Sequence, residues 1–409
     1  MEILHRRCAG LDVHKASLTA CARIVDGKAV VHEVREFRTT VAGLNELRDW
    51  LHERGIQAAV LEATGVYWKP VWHVLEADFE LTLANAAHVK NLPGRKSDVL
   101  DATWLADLHA HGLIRGSFVP PQPIEELRQL TRTRKQLVRE VGQHTNRLQK
   151  VLEDTNIKVG DVISDILGES GRAILRQLIA GVTDPEQLAN EARGKLKQKR
   201  PQLVEALQGR VTEHHRFLLK LHLDTLQSLE QTISQVDERL AGALLPFHEV
   251  VERLETIPGV STITAQVIVA EIGLDMSRFP TSGHLLSWAG LCPRSDKSAG
   301  KNRSTALRKG APWLKAVMVQ AAWGATHKKN SYLRAQYFRL RTRRGSKKAA
   351  VAVAASILTS AYYILQRGTA YQDLGCEYFN LRNVAKAVDR HRKQLEHLGF
   401  NVTLEKKAA

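Results

Sequence analysis

Pro120, Pro121 and Pro123 stand between two stretches of unlike periodicity, and that contrast limits the fold more than any other feature of the chain. Upstream, residues 9–13, 17–25 and 29–37 alternate β-branched and polar side chains, with Asp26-Gly27 as a hairpin turn. A helical pattern then runs over 40–54 and stops at Gly55, an apolar strand covers 58–61, a helix 68–76, and a further strand 81–84. The order β-β-β-α-β-α-β predicts a mixed sheet with helical layers. Downstream, a proline-initiated helix is expected from Ile124 to about Leu152. The fold class is therefore α/β followed by all-α.

In that helix Leu127, Arg134, Val141 and Leu148 recur every seven residues, with Leu130, Leu137, His144 and Val151 as a companion row. A second run carries Leu219, Leu226, Ile233 and Leu240 beside His222, Leu229, Val236 and Ala243. Asp184-Pro185, between the runs, has the chemistry of a helix cap and first turn. Such spacing suits a coiled coil, with either run packing on the other or on a partner chain. From about Leu254 the character changes again, to short Ala/Val/Ile-rich helices and a basic block. With 409 residues the length fits two to three domains. The expected boundaries are a sheet domain at 1–120, a helical middle at 121–250, a third, mostly helical region at 251–385 and a tail at 386–409.

The charge is local. Arg294 to Lys348 holds 16 Lys and Arg against one acid, Asp296, a net of +15 that leaves +1 for the rest of the chain. A sequence pI of about 9.8 argues against an average metabolic enzyme and for a polyanionic partner. Trp323, Tyr332, Tyr337 and Phe338 interleave with the arginines and suit base or ribose stacking, although a core position is the expectation for Trp323. Arg308, Lys309, Arg341, Arg343 and Arg344 are the expected phosphate contacts of this block. Cys8, Cys21, Cys292 and Cys376 form no CxxC pair, which speaks against structural zinc and disulfides. The apolar stretch 349–365 is broken by Ser356, Thr359 and Ser360 and reads as a buried helix, so a soluble cytoplasmic protein without a membrane span is expected.

Four acids punctuate the first hundred residues. Asp12 ends the first strand, Glu62 follows the apolar strand Ala58–Leu61, and Asp98 and Asp101 lie three apart at an expected helix start. A carboxylate just after a hydrophobic strand lies at the sheet edge, and an i,i+3 pair shares one helix face. Singly, each is most simply a cap or a turn residue. Jointly they offer the hard oxygen donors that a Mg²⁺ or Mn²⁺ centre needs for phosphoryl chemistry. Asp26 and Asp107 do not fit this set, and assistance by His14, Lys15 or Tyr67 stays open.

Gly10-Leu11-Asp12-Val13-His14-Lys15, Leu61-Glu62-Ala63-Thr64-Gly65 and Lys96-Ser97-Asp98-Val99-Leu100-Asp101-Ala102 resemble the three acidic motifs of the RuvC-like, DEDD-type transposases of the insertion-sequence-110 family. The resemblance implies an RNase H-like fold with Asp12, Glu62, Asp98 and Asp101 as metal ligands.

Toward the C-terminus, Leu254 to Ser261 reads as a hairpin whose amides meet a phosphate at a helix N-terminus, or as a plain helix-turn-helix packing unit. Trp288-Ala289-Gly290-Leu291-Cys292-Pro293-Arg294, Lys297-Ser298-Ala299-Gly300-Lys301 and Arg308 to Lys315 are similar to the C-terminal domain of the same family. The resemblance implies a nucleophilic serine in a Ser-Gly turn, which falls on Ser298, with Ser295 and Ser304 as the nearest alternatives. Lys297, Lys301 and Arg303 are placed to stabilise charge on a pentacovalent phosphate.

The resemblance further implies target and donor DNA as substrates and a structured non-coding bridge RNA that pairs with both. It also implies a homodimer assembling into a tetramer and strand cleavage through a 5′ phosphoserine in bacterial cytoplasm at the nucleoid. The alternatives are a metal-dependent Holliday-junction nuclease of RuvC type without serine chemistry, an actin-like kinase or ATPase, and an RNA-binding architectural protein. No second Gly-rich phosphate motif supports the kinase, and a full set of acids speaks against a purely architectural role.

Overall fold

The computed structural model describes residues 3–27, 29–63, 65–85, 89, 101–293, 296–298, 301–304, 306–382 and 384–405, with the side chains of 296–298, 301–303 and 385–387 set aside. The chain divides into two compact units, 1–119 and 120–409.

The first unit is a five-stranded sheet in the order β3-β2-β1-β4-β5, formed by β1 (Arg7–Val13), β2 (Ser17–Asp26), β3 (Ala29–Arg38), β4 (Ala58–Glu62) and β5 (Glu80–Ala84). The first three strands are an antiparallel meander, whereas β4 runs parallel to β1 and β5 parallel to β4. Asp26 remains in strand register with Ala29, so the turn begins one residue later than expected, at Gly27 with φ +59°. Only glycine takes that left-handed conformation without strain.

The alternation of β1 and β4 divides their side chains between two layers. Leu11, Val13, Ala59 and Leu61 bury against Leu44, Leu47, Trp50 and Leu51 of α1 (Val41–Glu53) and Val71 and Leu75 of α2 (Trp68–Leu75). The opposite face packs on α3 (Asp101–Ala110), with Val60 against Leu105 and Leu108 and Cys21 against Ala102 and Ala106. Helix α1 starts where Thr40 Oγ1 accepts the Gly43 amide, a side-chain N-cap. Burial pushes the Cys8 thiol up to about 12, and all four cysteines are free.

In the second unit α4 (Gln122–Asp154) and α9 (Glu213–Leu244) pack along each other. Arg134 pairs with Asp237 and His144 meets His222 at 3.3 Å, so the two helices run antiparallel within one chain. Both polar interruptions of the seven-residue pattern in α4 therefore find polar partners on α9. Leu130, Leu137 and Val151 are half-buried, and the row does not form a continuous buried seam. At the far end Leu148, Leu152, Leu219, Leu223 and Leu226 close a core with α6 (Glu169–Ala180), α7 (Pro185–Ala189) and α8 (Arg200–Ala206); α5 (Val159–Val162) covers its edge.

The remaining helices are α10 (His248–Glu255), α11 (Thr262–Ile272), α12 (Ser282–Ala289), α13 (Pro312–Ala325), α14 (Tyr332–Arg344), α15 (Ser346–Arg367), α16 (Tyr378–Leu381) and α17 (Val384–His397). Among the described helices α15 alone is long and apolar enough to cross a membrane, but half of its most apolar stretch is buried inside the protein. Ala350, Val353, Ile357 and Ala361 are in the core, and α15 packs on α12, α13 and α14.

One buried charge ties α4 to α11. Glu271, 1% exposed, accepts from Nε and Nη2 of Arg132 at 2.8 Å each, while Arg128 donates to the carbonyls of Ala270 and Glu271. Removing one partner of such a pair strands the other. Glu271→Ala is therefore expected to cost roughly 3–5 kcal/mol, read as a lowered urea midpoint in equilibrium unfolding. An unchanged midpoint would contradict this reading of the pair.

Candidate functional site

The acids of the first unit are positioned by strand pairing. Leu11 of β1 is in parallel register with Leu61 of β4, so Asp12 and Glu62, one residue further on, are neighbours at the carboxyl ends of adjacent strands. Leu11 and Leu61 face α1 and α2, and the period of two turns Asp12 and Glu62 to the face that carries α3. Asp101 is the first residue of α3.

A glycine sets how closely α3 approaches. A Cβ on Gly10 would lie 2.0 Å from the Ala102 carbonyl oxygen and 2.5 Å from the Ala106 amide nitrogen. The strand that carries Asp12 thus touches the backbone of the helix that begins with Asp101. All three residues are partly open to solvent. Asp98 lies outside the described residues.

His14 Nε2 stands 3.2 Å from Asp12 Oδ2. Lys15 is exposed and its carbonyl accepts the Thr39 hydroxyl, while Tyr67 is exposed. Asp107, left out of the set on sequence grounds, serves the packing of α3 on the sheet. Its carboxylate accepts from Arg23 Nε at 2.8 Å, and His32 Nε2 lies 3.1 Å away. Among the described residues no three Asp, Glu, His or Cys side chains stand close enough to hold a metal ion jointly. The donor chemistry at this edge is nonetheless that of a hard divalent cation, namely carboxylate oxygens on one face of one sheet end.

The serine region of the second unit is a two-stranded hairpin, β6 (Asp296–Ser298) and β7 (Lys301–Ser304), extended at its base by a bridge between Pro293 and Leu307. Ser298 ends β6 and pairs with Lys301, and Lys297 pairs with Asn302. The register slips between Asp296 and Lys297, because Arg303 is the extra residue of a bulge in β7. Ser304 accepts the Ala306 amide through its hydroxyl, which engages that oxygen in a local turn. Ser295 lies outside the described residues.

Two left-handed glycines anchor the hairpin to α12 and α13. Gly290 (φ +73°) and Gly310 (φ +54°) lie back to back, and a Cβ on Gly310 would fall 2.3 Å from the Gly290 nitrogen. Lys315 Nζ then donates to the carbonyls of Arg308 and Lys309. Gly310→Ala is expected to cost at least about 2 kcal/mol through positive-φ strain and overpacking together. The checking measurement is the urea midpoint, and a change within error would refute the close contact.

Residues 254–261 are also used for packing. Ile257, Pro258 and Val260 are buried, and a Cβ on Gly259 would lie 2.2 Å from the Ala321 carbonyl oxygen of α13. Ser261 caps α11 by accepting the Thr264 amide. The turn thus serves as a helix-turn-helix packing unit, with Ser261 and Thr262 exposed at the start of α11.

The basic side chains Arg308, Lys309, Arg341, Arg343 and Arg344 are exposed, as phosphate contacts must be. Trp323 departs from expectation: it is 41% exposed, with its ring 5.6 Å from that of the buried Tyr337. Phe338, on the other side of Tyr337, lies beside the guanidinium groups of Arg334 and Arg341 at 5.1 and 4.9 Å. An aromatic in an apolar-rich helix has the same sequence signature whether its ring faces in or out.

Sequence reasoning passed over a further cluster on α4, Arg132 and Lys135 beside Trp313, with Arg139 one turn beyond Lys135. Its signal was a run of cations at helical spacing in a segment read only for its leucines.

Two family models match the chain. Residues 9–157 match a transposase family described as DEDD, IS110 type, and residues 251–338 match a transposase family described as IS116/IS110/IS902. The chain is 24% identical over 379 residues to the transposase of insertion sequence element IS1111A from Coxiella burnetii, covering 89% of this chain and 90% of that protein. It is 25% identical over 254 residues to the transposase of element IS1328 from Yersinia enterocolitica, covering 61% of this chain and 65% of that one, just under two thirds of its length. A 33% identical stretch of 138 residues is shared with an uncharacterized 43.6 kDa protein of insertion element IS110 from Streptomyces coelicolor, a third of each chain.

Proposed function

Because the chain belongs to the IS110 family of transposases, we propose that it cuts, exchanges and rejoins DNA strands at the ends of an insertion sequence, guided by a structured RNA transcribed beside it. The observation that carries this reading is the parallel pairing of β1 and β4, which sets Asp12 beside Glu62 on the face of α3. The sheet order and its mixed pairing suit an RNase H-like domain of RuvC type over 1–120. The division 121–250, 251–385 and 386–409 for the rest belongs to the same proposal. The match over residues 251–338 gives the C-terminal region a transposase counterpart of its own, so a metal-only junction nuclease is not favoured.

Asp12, Glu62 and Asp101, together with Asp98, would hold Mg²⁺ or Mn²⁺. When bound, the ion supplies Lewis-acid stabilisation of a phosphate oxygen. The chain's own part would be to carry Ser298 on the β6–β7 hairpin, in the strands that also hold Lys297, Lys301 and Arg303. In the proposed step the Ser298 oxygen forms a bond to phosphorus and loses its proton, while the bond from phosphorus to the 3′ oxygen breaks. The departing oxygen takes up a proton as a free 3′ hydroxyl, leaving a 5′ phosphoserine. The ester keeps the phosphodiester's free energy for rejoining, which requires no outside energy source. Arg308, Lys309, Arg341, Arg343 and Arg344 hold phosphates of DNA or RNA, and two dimers joined as a tetramer bring two duplexes together at the nucleoid.

Guidance is tested by purifying the protein from cells that carry its native flanking DNA, without nuclease, and sequencing RNA retained after a high-salt wash. One discrete transcript from the flanking non-coding DNA is the expected result. Heterogeneous RNA or none would refute guidance and leave the basic block to contact DNA directly.

A further inference from the structure

Arg128, Arg132, Lys135 and Arg139 follow one another at steps of four, three and four residues along α4, which sets them on one face. The first two are committed. Arg128 donates to the carbonyls of Ala270 and Glu271, and Arg132 engages both carboxylate oxygens of Glu271. The Lys135 ammonium is differently placed. It is shut off from solvent, meets no hydrogen-bond acceptor among the described residues, and lies 5.9 Å from the centroid of the Trp313 ring. The Arg132 guanidinium stands 5.6 Å from the same ring.

A cation stripped of water and given only an aromatic face is poorly compensated, because a ring returns a small part of the hydration free energy. Glu271 does not repair this, since its oxygens are already engaged by Arg132. Arg139 adds repulsion, and burial with that repulsion lowers the Lys135 pKa. The Lys135 stem is partly open to solvent, so a change of rotamer brings the ammonium out to a ligand. The exposed Arg308 and Lys309 precede Trp313 on a loop that Lys315 fastens to α13. A single inorganic anion would satisfy one lysine; a row of cations ending in an exposed loop fits a chain of phosphates.

We propose that Lys135, backed by Trp313 and flanked by Arg139, is a docking point for a backbone phosphate of nucleic acid. Its cations Lys135 and Arg139 come from α4 and not from the basic block of residues 294–348, and the site rests on the nucleic-acid function proposed above. Lys135 contacts the phosphate directly.

The test uses the full-length protein with two fluorescein-labelled probes, a short duplex DNA of arbitrary sequence and a single-stranded RNA, titrated at several salt concentrations. Lys135→Gln is expected to weaken binding about tenfold, the scale of one charge-assisted hydrogen bond. The slope of log K against log salt should fall in magnitude by about 0.9 on duplex or about 0.7 on single strand. Lys135→Arg should restore the slope. Loss on one probe alone assigns the phosphate to that nucleic acid. Because the lost charge has no hydrogen-bonded partner among the described residues, K135Q should unfold at the same urea concentration as the wild type or a higher one. An unchanged slope on probes that the wild type binds would overturn the site alone, as would a lowered urea midpoint, which would reveal an internal partner. A wild type that binds neither probe would overturn the proposed function and this site together.

Discussion

Asp12→Asn is expected to lower strand cleavage and exchange by at least about 10²–10³-fold, the loss that follows removal of one preorganised electrostatic contact at a reacting phosphate. The substitution keeps the shape of the side chain and removes its charge. Asp12 is the penultimate residue of β1, and its neighbours Leu11 and Val13 on the other face are fully buried, so the backbone beneath it is held by packing that the substitution does not touch. Its salt-bridging neighbour is the exposed His14, and surface pairs of this kind contribute at most about 1 kcal/mol. Stability should therefore change little while activity collapses. Nucleic-acid affinity should stay within about twofold, because the proposed phosphate contacts belong to basic residues of the second unit and their contribution is set by counterion release. Both readouts are needed. A loss of activity with a lowered urea midpoint would point to a structural role, whereas intact activity would remove Asp12 from the site.

Ser298→Ala carries an effect of similar size for a different reason. A single oxygen atom is lost from a two-stranded hairpin, whose register depends on backbone bonds between residues 298 and 301. Under the proposed reaction the covalent protein–DNA species cannot form without the Ser298 oxygen, and cleavage that proceeds through it should fall below detection. The comparison that gives the result meaning is Ser304→Ala. Ser304 Oγ already accepts the Ala306 amide, so its removal should disturb a turn and leave the covalent chemistry in place. Retained adduct in S298A with loss in S304A would move the nucleophile by six residues to the end of β7.

The parts of the molecule that were legible in the sequence are those set by local rules. Alternating β-branched residues located β1 to β3 within two residues, and the helical pattern over 40–54 located α1 within one residue at each end, with Thr40 as its side-chain cap. The placement of Asp12 and Glu62 was legible as well, since an acid that closes an apolar strand emerges at the sheet edge whichever strand lies alongside. Which strands lie side by side is not local, and the parallel pairing of β1 with β4 supplied that. The seven-residue rows of α4 and α9 were readable as helix faces, but a periodic row does not specify whether its partner is in the same chain. Arg134 with Asp237 and His144 with His222 answer that point. Gly10, Gly290 and Gly310 owe their roles to backbones distant in sequence, and nothing beside them announces it. The isolation of Lys135 likewise depends on Trp313, from another helix.

The most direct test of the central claim, that the acidic edge and Ser298 carry one strand-transfer reaction, is to trap the covalent intermediate. Wild-type protein purified with its native flanking DNA and any bound RNA is incubated with Mg²⁺ and end-labelled DNA spanning the element junction, denatured, digested with protease and analysed by mass spectrometry. The account predicts a labelled protein–DNA species whose adduct maps to Ser298 through a 5′ phosphate, absent in S298A and strongly reduced in D12N. Cleavage that yields free 5′ phosphates with no adduct, undiminished in S298A, would contradict it.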